Sequence, residues 1–217
     1  MQRIDGLLFE PVGCLAEFPS EPFHEIAVRC FGMSRGKKPS RSASRSYWHL
    51  LNLMQAAGEK LDDSENALIE ALELEAVDGT TAYEDVLPAL SELKAMGIQL
   101  LIASSLSRAA TTRFLEKCSI DEFFSAVWNR DNAGGIKAAP LARAIGGAAL
   151  PAERTAFLTD TAEGLKVAEF VGVNSILMMN DPDEAKRLAT RDPAGGIVSL
   201  HELPDFVRFV AAKNARS

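Results

Sequence analysis

Polar side chains in this sequence follow several short apolar runs, and their types suit the chemistry of phosphate groups. The residues at these positions are Glu10, Ser104, Ser105, Lys137 and Asp160. In an open parallel sheet, ligands bind beyond the carboxyl ends of the strands, so we expect these side chains to meet at one edge. Carboxylate oxygens are the ligands that Mg²⁺ prefers, whereas lysine, hydroxyls and helix-start amides suit phosphate. The pattern therefore predicts a site for magnesium and phosphate.

The apolar runs alternate along the chain with segments of helical spacing. We predict strands at residues 6–9, 98–104, 125–129, 155–158 and 173–179. We predict helices at residues 83–97, 107–120, 139–150, 161–173 and 200–213. Strands that alternate with helices of about 10 to 15 residues form right-handed βαβ units. The sequence therefore predicts an α/β fold built on a doubly wound parallel sheet.

Residues 16–82 interrupt this alternation because they contain helical patterns but no strand pattern. The helical segments are residues 22–32, 46–58 and 64–77. The polar, basic stretch that contains Arg35 to Arg45 is predicted to be a loop. We therefore predict a core domain at residues 1–15 and 83–217, and a small all-helical domain at residues 16–82, inserted just after the first strand.

The composition limits the partners and the compartment. The chain has 217 residues and a formal net charge of −7, which disfavours nucleic acid because binding its phosphates requires a basic surface. No apolar run reaches the roughly 18 residues that a membrane span requires, and the N-terminus lacks a signal-peptide pattern. Three widely separated cysteines indicate free thiols in a reducing compartment. We predict a cytoplasmic protein without a membrane or nucleic-acid partner, and the oligomeric state is left open.

The four strand ends, in this order, resemble the motifs of the haloacid dehalogenase superfamily, which consists chiefly of phosphatases and phosphomutases. The family's first motif, Phe-Asp-x-Asp-Gly-Thr-Leu, is similar to Phe9–Leu15. Its phosphate-binding Ser or Thr matches Ser104, with Ser105 where an Asn is frequent, and its Lys-Pro-x-Pro matches Lys137–Pro140. Its metal-binding Asp matches Asp160. The helical insert resembles the cap of the subclass that contains phosphoglycolate phosphatases and β-phosphoglucomutase, within a Rossmann-like core.

The resemblance implies a role for each of these residues. Glu10 and Lys137 would take the catalytic positions, and Ser104, Ser105 and Lys137 would bind phosphate. Glu10, Asp160 and the backbone carbonyl of Val12 would hold Mg²⁺. The implied partner is a phosphorylated small molecule or phosphate itself.

The first motif departs from the family at its two reactive positions. In the family, the first Asp attacks phosphorus, and the second, two residues later, transfers a proton. Here these residues are Glu10 and Val12. The longer glutamate moves its carboxylate by about 1 Å, which can cost roughly 10²-fold in rate. Valine cannot transfer a proton, and losing a positioned acid or base costs roughly 10²–10⁴-fold. We therefore predict weak or no phosphatase activity.

Three functions are compatible with this sequence. The favoured hypothesis is a phosphatase-like protein that binds a phosphorylated small molecule or Mg²⁺ with little or no hydrolysis. The second is an active hydrolase that uses Glu10 and recruits Glu163 or an insert residue as the acid or base. The third is a non-enzymatic interaction protein that uses the insert or its basic stretch. Cys14 is interpreted as a small buried residue rather than a nucleophile.

Overall fold

The computed structural model describes residues 3–34, 42–58 and 61–214. The strands are β1 (Gly6–Phe9), β2 (Ala16–Glu17), β3 (Thr81–Ala82), β4 (Gln99–Ala103), β5 (Ala126–Trp128), β6 (Thr155–Thr159), β7 (Asn174–Met178) and β8 (Gly195–Ile197). The helices are α1 (Pro11–Cys14), α2 (Glu21–Phe31), α3 (Ala43–Ala57), α4 (Asp63–Asp78), α5 (Val86–Ala95), α6 (Arg108–Cys118), α7 (Arg130–Ala133), α8 (Ala138–Ala148), α9 (Ala162–Val171), α10 (Pro182–Ala189) and α11 (Glu202–Asn214). Among the described helices, none has the length and apolar character needed to cross a bilayer.

The centre of the molecule is a six-stranded sheet with the order β5-β4-β1-β6-β7-β8. Every pairing in it is parallel, and β1 lies in the middle with Phe9 opposite both Ile102 and Leu158. All four residues of β1 are buried, which explains its continuous apolar sequence. The predicted α/β fold with a parallel sheet is confirmed. The strands that follow β1 in the sequence lie on both sides of it in the sheet. The carboxyl end of β1 is therefore the expected ligand position.

Three features correct the predictions made from the sequence. Strand β8 and helix α10 were not predicted, because β8 is a three-residue run that begins with two glycines and α10 carries few buried apolar side chains. The prediction that the insert contains no strand was wrong. Strands β2 and β3 pair antiparallel at its two ends, and two residues per strand are too few to show alternation.

The basic stretch of the insert is only partly described. Arg35, Lys37, Lys38 and Arg41 lie outside the described residues. Arg45 was predicted to lie in a loop, but it belongs to the first turn of α3, because the side chain of Ser42 caps that helix by accepting the Arg45 N–H. The Arg45 side chain pairs with Glu184 of α10 at 2.7 Å.

Aromatic rings connect the insert to the sheet domain. Phe18 packs against Phe114 of α6 and against Phe23 of α2, with ring centroids 5.4 and 6.3 Å apart. Phe23 in turn packs against Tyr47 of α3 at 5.2 Å. These side chains belong to one continuous cluster of buried apolar residues that also contains β1. Helix α3 is therefore held against the core by direct apolar packing.

A buried ion pair makes a second connection between the insert and the core. Glu73 of α4 is fully buried and accepts hydrogen bonds from the Arg130 guanidinium and, at 3.0 Å, from the Ser107 N–H. Arg130 also donates to the Ser105 carbonyl at 3.4 Å. Removing one partner of a buried pair leaves an uncompensated charge, which is strongly destabilising.

The turn after β1 requires a glycine. Gly13 has a φ of +80°, in the left-handed region. A Cβ atom at Gly13 would collide with the Ser44 hydroxyl and the Asp160 carboxylate. The turn therefore lets the β1 end, the β6 end and α3 approach each other closely.

We expect Glu73→Leu to lower the free energy of unfolding by about 3–5 kcal/mol, because Arg130 would lose its buried partner. Adding Arg130→Met should recover most of this loss, since the unpaired charge is then removed. Asp78→Asn is the control because it breaks the exposed Arg113–Asp78 pair, and it should cost no more than about 1 kcal/mol. Urea denaturation measures all three, and equal costs for Glu73→Leu and Asp78→Asn would contradict the expectation.

We expect Gly13→Ala to lower the free energy of unfolding by more than about 1 kcal/mol, because the left-handed backbone and the collision both disfavour a side chain. Gly146→Ala is the matched control, since Gly146 lies inside α8 with no heavy atom near an added Cβ. That substitution should be neutral or stabilising by up to about 1 kcal/mol. Thermal unfolding compares the two variants, and similar behaviour would argue against the described turn.

Candidate active site

The carboxyl ends of three neighbouring strands bring the predicted site residues together. Glu10 follows β1, Ser104 and Ser105 follow β4, and Asp160 follows β6, which are adjacent strands in the sheet. Ser104 Oγ donates a hydrogen bond to Glu10 Oε1 at 2.7 Å. Glu10 is only 3% exposed, so its carboxyl group is shielded from solvent, whereas Asp160 lines a cleft of about 390 Å³.

Tyr47 of α3 closes the site. Its hydroxyl lies 3.4 Å from Glu10 Oε2, to which it donates, and accepts the Ser105 backbone N–H at 3.0 Å. The Tyr47 side chain is fully buried. The ring packs in the apolar core, but its polar tip reaches the strand ends. No pattern within the sequence marks this contact.

Burial controls the protonation of Glu10. The loss of hydration raises its pKa to about 8, against the opposing effect of hydrogen bonds from Ser104, from the Ser105 and Val12 backbone and from Tyr47. The side chain is therefore a neutral carboxylic acid at neutral pH. Burial also raises the pKa of Tyr47 well above its ordinary value, and the nearby Glu10 adds to this effect.

Asp160 is held by two residues that the sequence did not indicate. Its Oδ2 accepts hydrogen bonds from Ser44 Oγ at 2.6 Å and from Asn180 Nδ2 at 3.2 Å. Asn180 also donates to the Gly13 carbonyl at 2.7 Å, which ties the end of β7 to the turn after β1. Burial raises the pKa of Asp160 to about 6, opposed by the hydrogen bonds from Ser44 and Asn180. Ser44 was missed because it was predicted to lie in the loop before α3.

Lys137 contacts the site through its backbone and the insert through its side chain. The Lys137 N–H donates to Ser105 Oγ at 2.7 Å. Its ammonium donates to Asn52 Oδ1 and Gln55 Oε1 of α3, each at 2.6 Å. Burial lowers the pKa of Lys137, with an opposing effect from Glu163. The amine therefore binds α3 in this arrangement instead of Glu10.

Val12, which the resemblance puts at the position of the family's proton-transferring residue, lies in apolar surroundings. Val12 is fully buried and belongs to the main hydrophobic cluster. Glu163, the alternative acid or base, lines a cleft of about 330 Å³ together with His49 and Arg187. Cys14 is buried as expected, and burial raises its pKa well above the ordinary value, with Asp160 and Glu10 adding to this effect.

The arrangement does not fit a divalent cation. Both Glu10 oxygens and Asp160 Oδ2 accept hydrogen bonds from protein groups. Within residues 3–34, 42–58 and 61–214, no group of three His, Cys, Asp or Glu side chains could hold a metal ion. The donors that could bind an anion are engaged in the same way, because the Ser105 N–H donates to the Tyr47 hydroxyl and the Lys137 N–H donates to Ser105 Oγ.

Comparison with known proteins supports the fold and the family. The family model described as haloacid dehalogenase-like hydrolase matches residues 35–178, more than half of the chain. No curated protein matches the sequence.

Solved structures share the fold at low identity. A haloacid dehalogenase-like family hydrolase from Streptococcus pneumoniae superposes with a TM-score of 0.70 at 14% identity, over 94% of this chain and 98% of its own. An L-2-haloacid dehalogenase from Xanthobacter autotrophicus gives 0.62 at 16% identity, with the same coverage of 94% and 98%. A phosphatase of this superfamily from Thermococcus onnurineus gives 0.64 at 17%, also over 94% and 98%. The chain therefore belongs to the haloacid dehalogenase-like hydrolases.

Proposed function

We propose that this chain is a family member that binds a phosphorylated small molecule at the strand ends around Ser105 and does not hydrolyse it at a useful rate. The observation that carries the proposal is the pair Glu10 and Val12. Glu10 is a buried, neutral acid in the place of the nucleophile, and Val12 is a buried aliphatic side chain in the place of the proton-transferring residue.

The loss of hydrolysis follows from the chemistry that the reaction requires. A nucleophile must present an ionised oxygen about 3–3.5 Å from phosphorus. Burial favours the protonated form of Glu10 at neutral pH, and Ser104 and Tyr47 are hydrogen-bonded to its two oxygens. The leaving group also needs a proton donor. The Tyr47 hydroxyl lies 3.4 Å from Glu10 Oε2, but its raised pKa makes it a weak acid.

Three groups support binding of a phosphate. The Ser105 N–H already binds an oxygen, that of the Tyr47 hydroxyl. The Ser104 hydroxyl lies beside Glu10, and Lys137 directly precedes α8 next to Ser105. Backbone amides and lysine are the usual partners of phosphate oxygens at the carboxyl edge of a parallel sheet. A neutral Glu10 also avoids the repulsion that an ionised carboxylate would exert on a dianion.

The proposed function does not require Mg²⁺. Members of the family typically use Mg²⁺. The ligands predicted from the sequence were Glu10, Asp160 and the carbonyl of Val12. Because hydrogen bonds engage the two carboxyl groups, we expect no metal to bind in the closed arrangement.

We expect wild-type protein and Glu10→Gln to show the same background turnover of p-nitrophenyl phosphate, with or without millimolar Mg²⁺. Glu10 has no activated carboxylate to lose, so replacing its carboxyl group with an amide should change nothing. A chromogenic assay at neutral pH measures both proteins. Mg²⁺-dependent wild-type turnover that Glu10→Gln abolishes would contradict the proposal and favour an active hydrolase.

Restoring the family residues tests whether only the reactive groups are missing. We expect Glu10→Asp with Val12→Asp to hydrolyse p-nitrophenyl phosphate at least about 10²-fold faster than Glu10→Asn with Val12→Asp. The asparagine variant is nearly identical in shape but has no nucleophile. Equal rates in two folded variants would show that the surrounding pocket is also lost.

Inorganic phosphate should raise the melting temperature of the wild-type protein, and Lys137→Met should reduce this shift by removing the ammonium. Lys166→Met is the matched control, since Lys166 is exposed and lines the same cleft of about 380 Å³ as Lys137. Its phosphate-dependent shift should equal that of the wild type. No shift in any of these proteins would contradict phosphate binding.

A further inference from the structure

Polar side chains on one side of α3 form hydrogen bonds with the predicted site residues at the strand ends. Ser44 donates to Asp160, and Tyr47 contacts both Glu10 and the Ser105 amide. One and two turns further along α3, Asn52 and Gln55 accept the Lys137 ammonium. These four α3 positions are spaced by three, five and three residues, which places them on one broad side of the helix.

The polar groups on this side of α3 accept hydrogen bonds from the same donors that an anionic ligand would contact. The Tyr47 hydroxyl is an oxygen acceptor on the Ser105 N–H, which is the role that a phosphate oxygen would have. The amide oxygens of Asn52 and Gln55 are acceptors for the Lys137 ammonium, as an anionic ligand would be. In the closed molecule, α3 therefore satisfies the donors that would otherwise bind an anion.

The Tyr47 side chain cannot leave this position alone. It is one of the largest fully buried side chains of the protein, and its ring lies 5.2 Å from Phe23 and 6.3 Å from Trp48. Trp48 is itself only 2% exposed. A phosphate group that approaches Ser105 must therefore displace the middle of α3 as well as the hydroxyl.

We propose that α3 is a built-in competitor of the anionic ligand, with the Tyr47 hydroxyl occupying the phosphate position on the Ser105 amide. This inference rests on the proposed function and adds its regulation. Ligand binding requires α3 to move away from the strand ends, which releases Lys137 from Asn52 and Gln55. The apparent affinity is then the intrinsic affinity reduced by the fraction of molecules in which α3 has moved.

The affinity for inorganic phosphate, measured by titration calorimetry, tests this competition. We expect Tyr47→Ala to lower the Kd for phosphate at least about 10-fold relative to the wild type, because it removes the competing oxygen and its ring. Tyr47→Phe removes only the oxygen and should lower the Kd by a smaller factor. Added phenol should weaken phosphate binding to Tyr47→Ala, since it can refill the vacated space.

Phe23→Ala is the matched control for general loosening of the insert. Phe23 belongs to the same buried aromatic group and packs against Tyr47, but it has no polar atom on the site. Its Kd for phosphate should stay within about twofold of the wild-type value, since Tyr47 still covers Ser105. An equal gain in affinity for Phe23→Ala and Tyr47→Ala would overturn the inference.

The outcomes separate the inference from the proposed function. If the wild type and both Tyr47 variants bind phosphate with one Kd, the competition is overturned while the proposed ligand binding stands. If none of the proteins binds phosphate, the proposed function itself fails. If both Tyr47 variants bind phosphate more tightly and the Kd of Phe23→Ala is unchanged, the competition and the proposed function are both supported.

Fluorescence provides a test without altering Tyr47. The protein has two tryptophans, so a Trp128→Phe variant reports on Trp48 of α3 alone. Saturating phosphate should shift the Trp48 emission to longer wavelength as the buried ring becomes hydrated. Binding that leaves the emission unchanged would overturn the displacement of α3.

Discussion

The hydrogen bonds between Tyr47, Glu10 and the Ser105 amide are the contacts on which the arrangement of the site depends. They place a helix of the insert directly on the carboxyl end of the central strand, where α/β sheets bind their ligands. Because both Tyr47 and Glu10 are buried, this contact shields the Glu10 carboxyl group from water. The closed insert and the altered protonation of Glu10 are therefore two consequences of the same burial.

The substitutions in the first motif are compatible with this closure for a physical reason. Two ionised aspartates beneath a closed helix would require a cation or water, because burying unpaired charge is costly. A neutral Glu10 and an aliphatic Val12 impose no such requirement. The same two residues on which the proposed loss of hydrolysis rests are thus compatible with the packing of α3 onto the strand ends.

Two further connections keep α3 in place. The ring of Tyr47 joins an aromatic group that extends from the insert to Phe114 of the core. The buried pair of Glu73 and Arg130 connects α4 to the loop after β4, close to Ser105. The insert and the core therefore share apolar packing as well as polar contacts.

The sequence by itself determined the α/β fold and the strand ends where the site lies, because both depend on local patterns. Through the resemblance, it also indicated that Glu10 and Val12 stand where the family has its two aspartates. Strands β2 and β3 escaped prediction because two residues show no alternation, and β8 escaped it because it begins with two glycines.

Only the tertiary structure decided what covers the site. Tyr47 lies 37 positions from Glu10 and 58 from Ser105, and no local pattern links them. The raised pKa of Glu10 arises from burial by the whole fold, and the direction of Lys137 arises from acceptors on α3. Long-range packing, rather than residue type, thus determines whether the strand-end groups face a ligand or the protein's own helix.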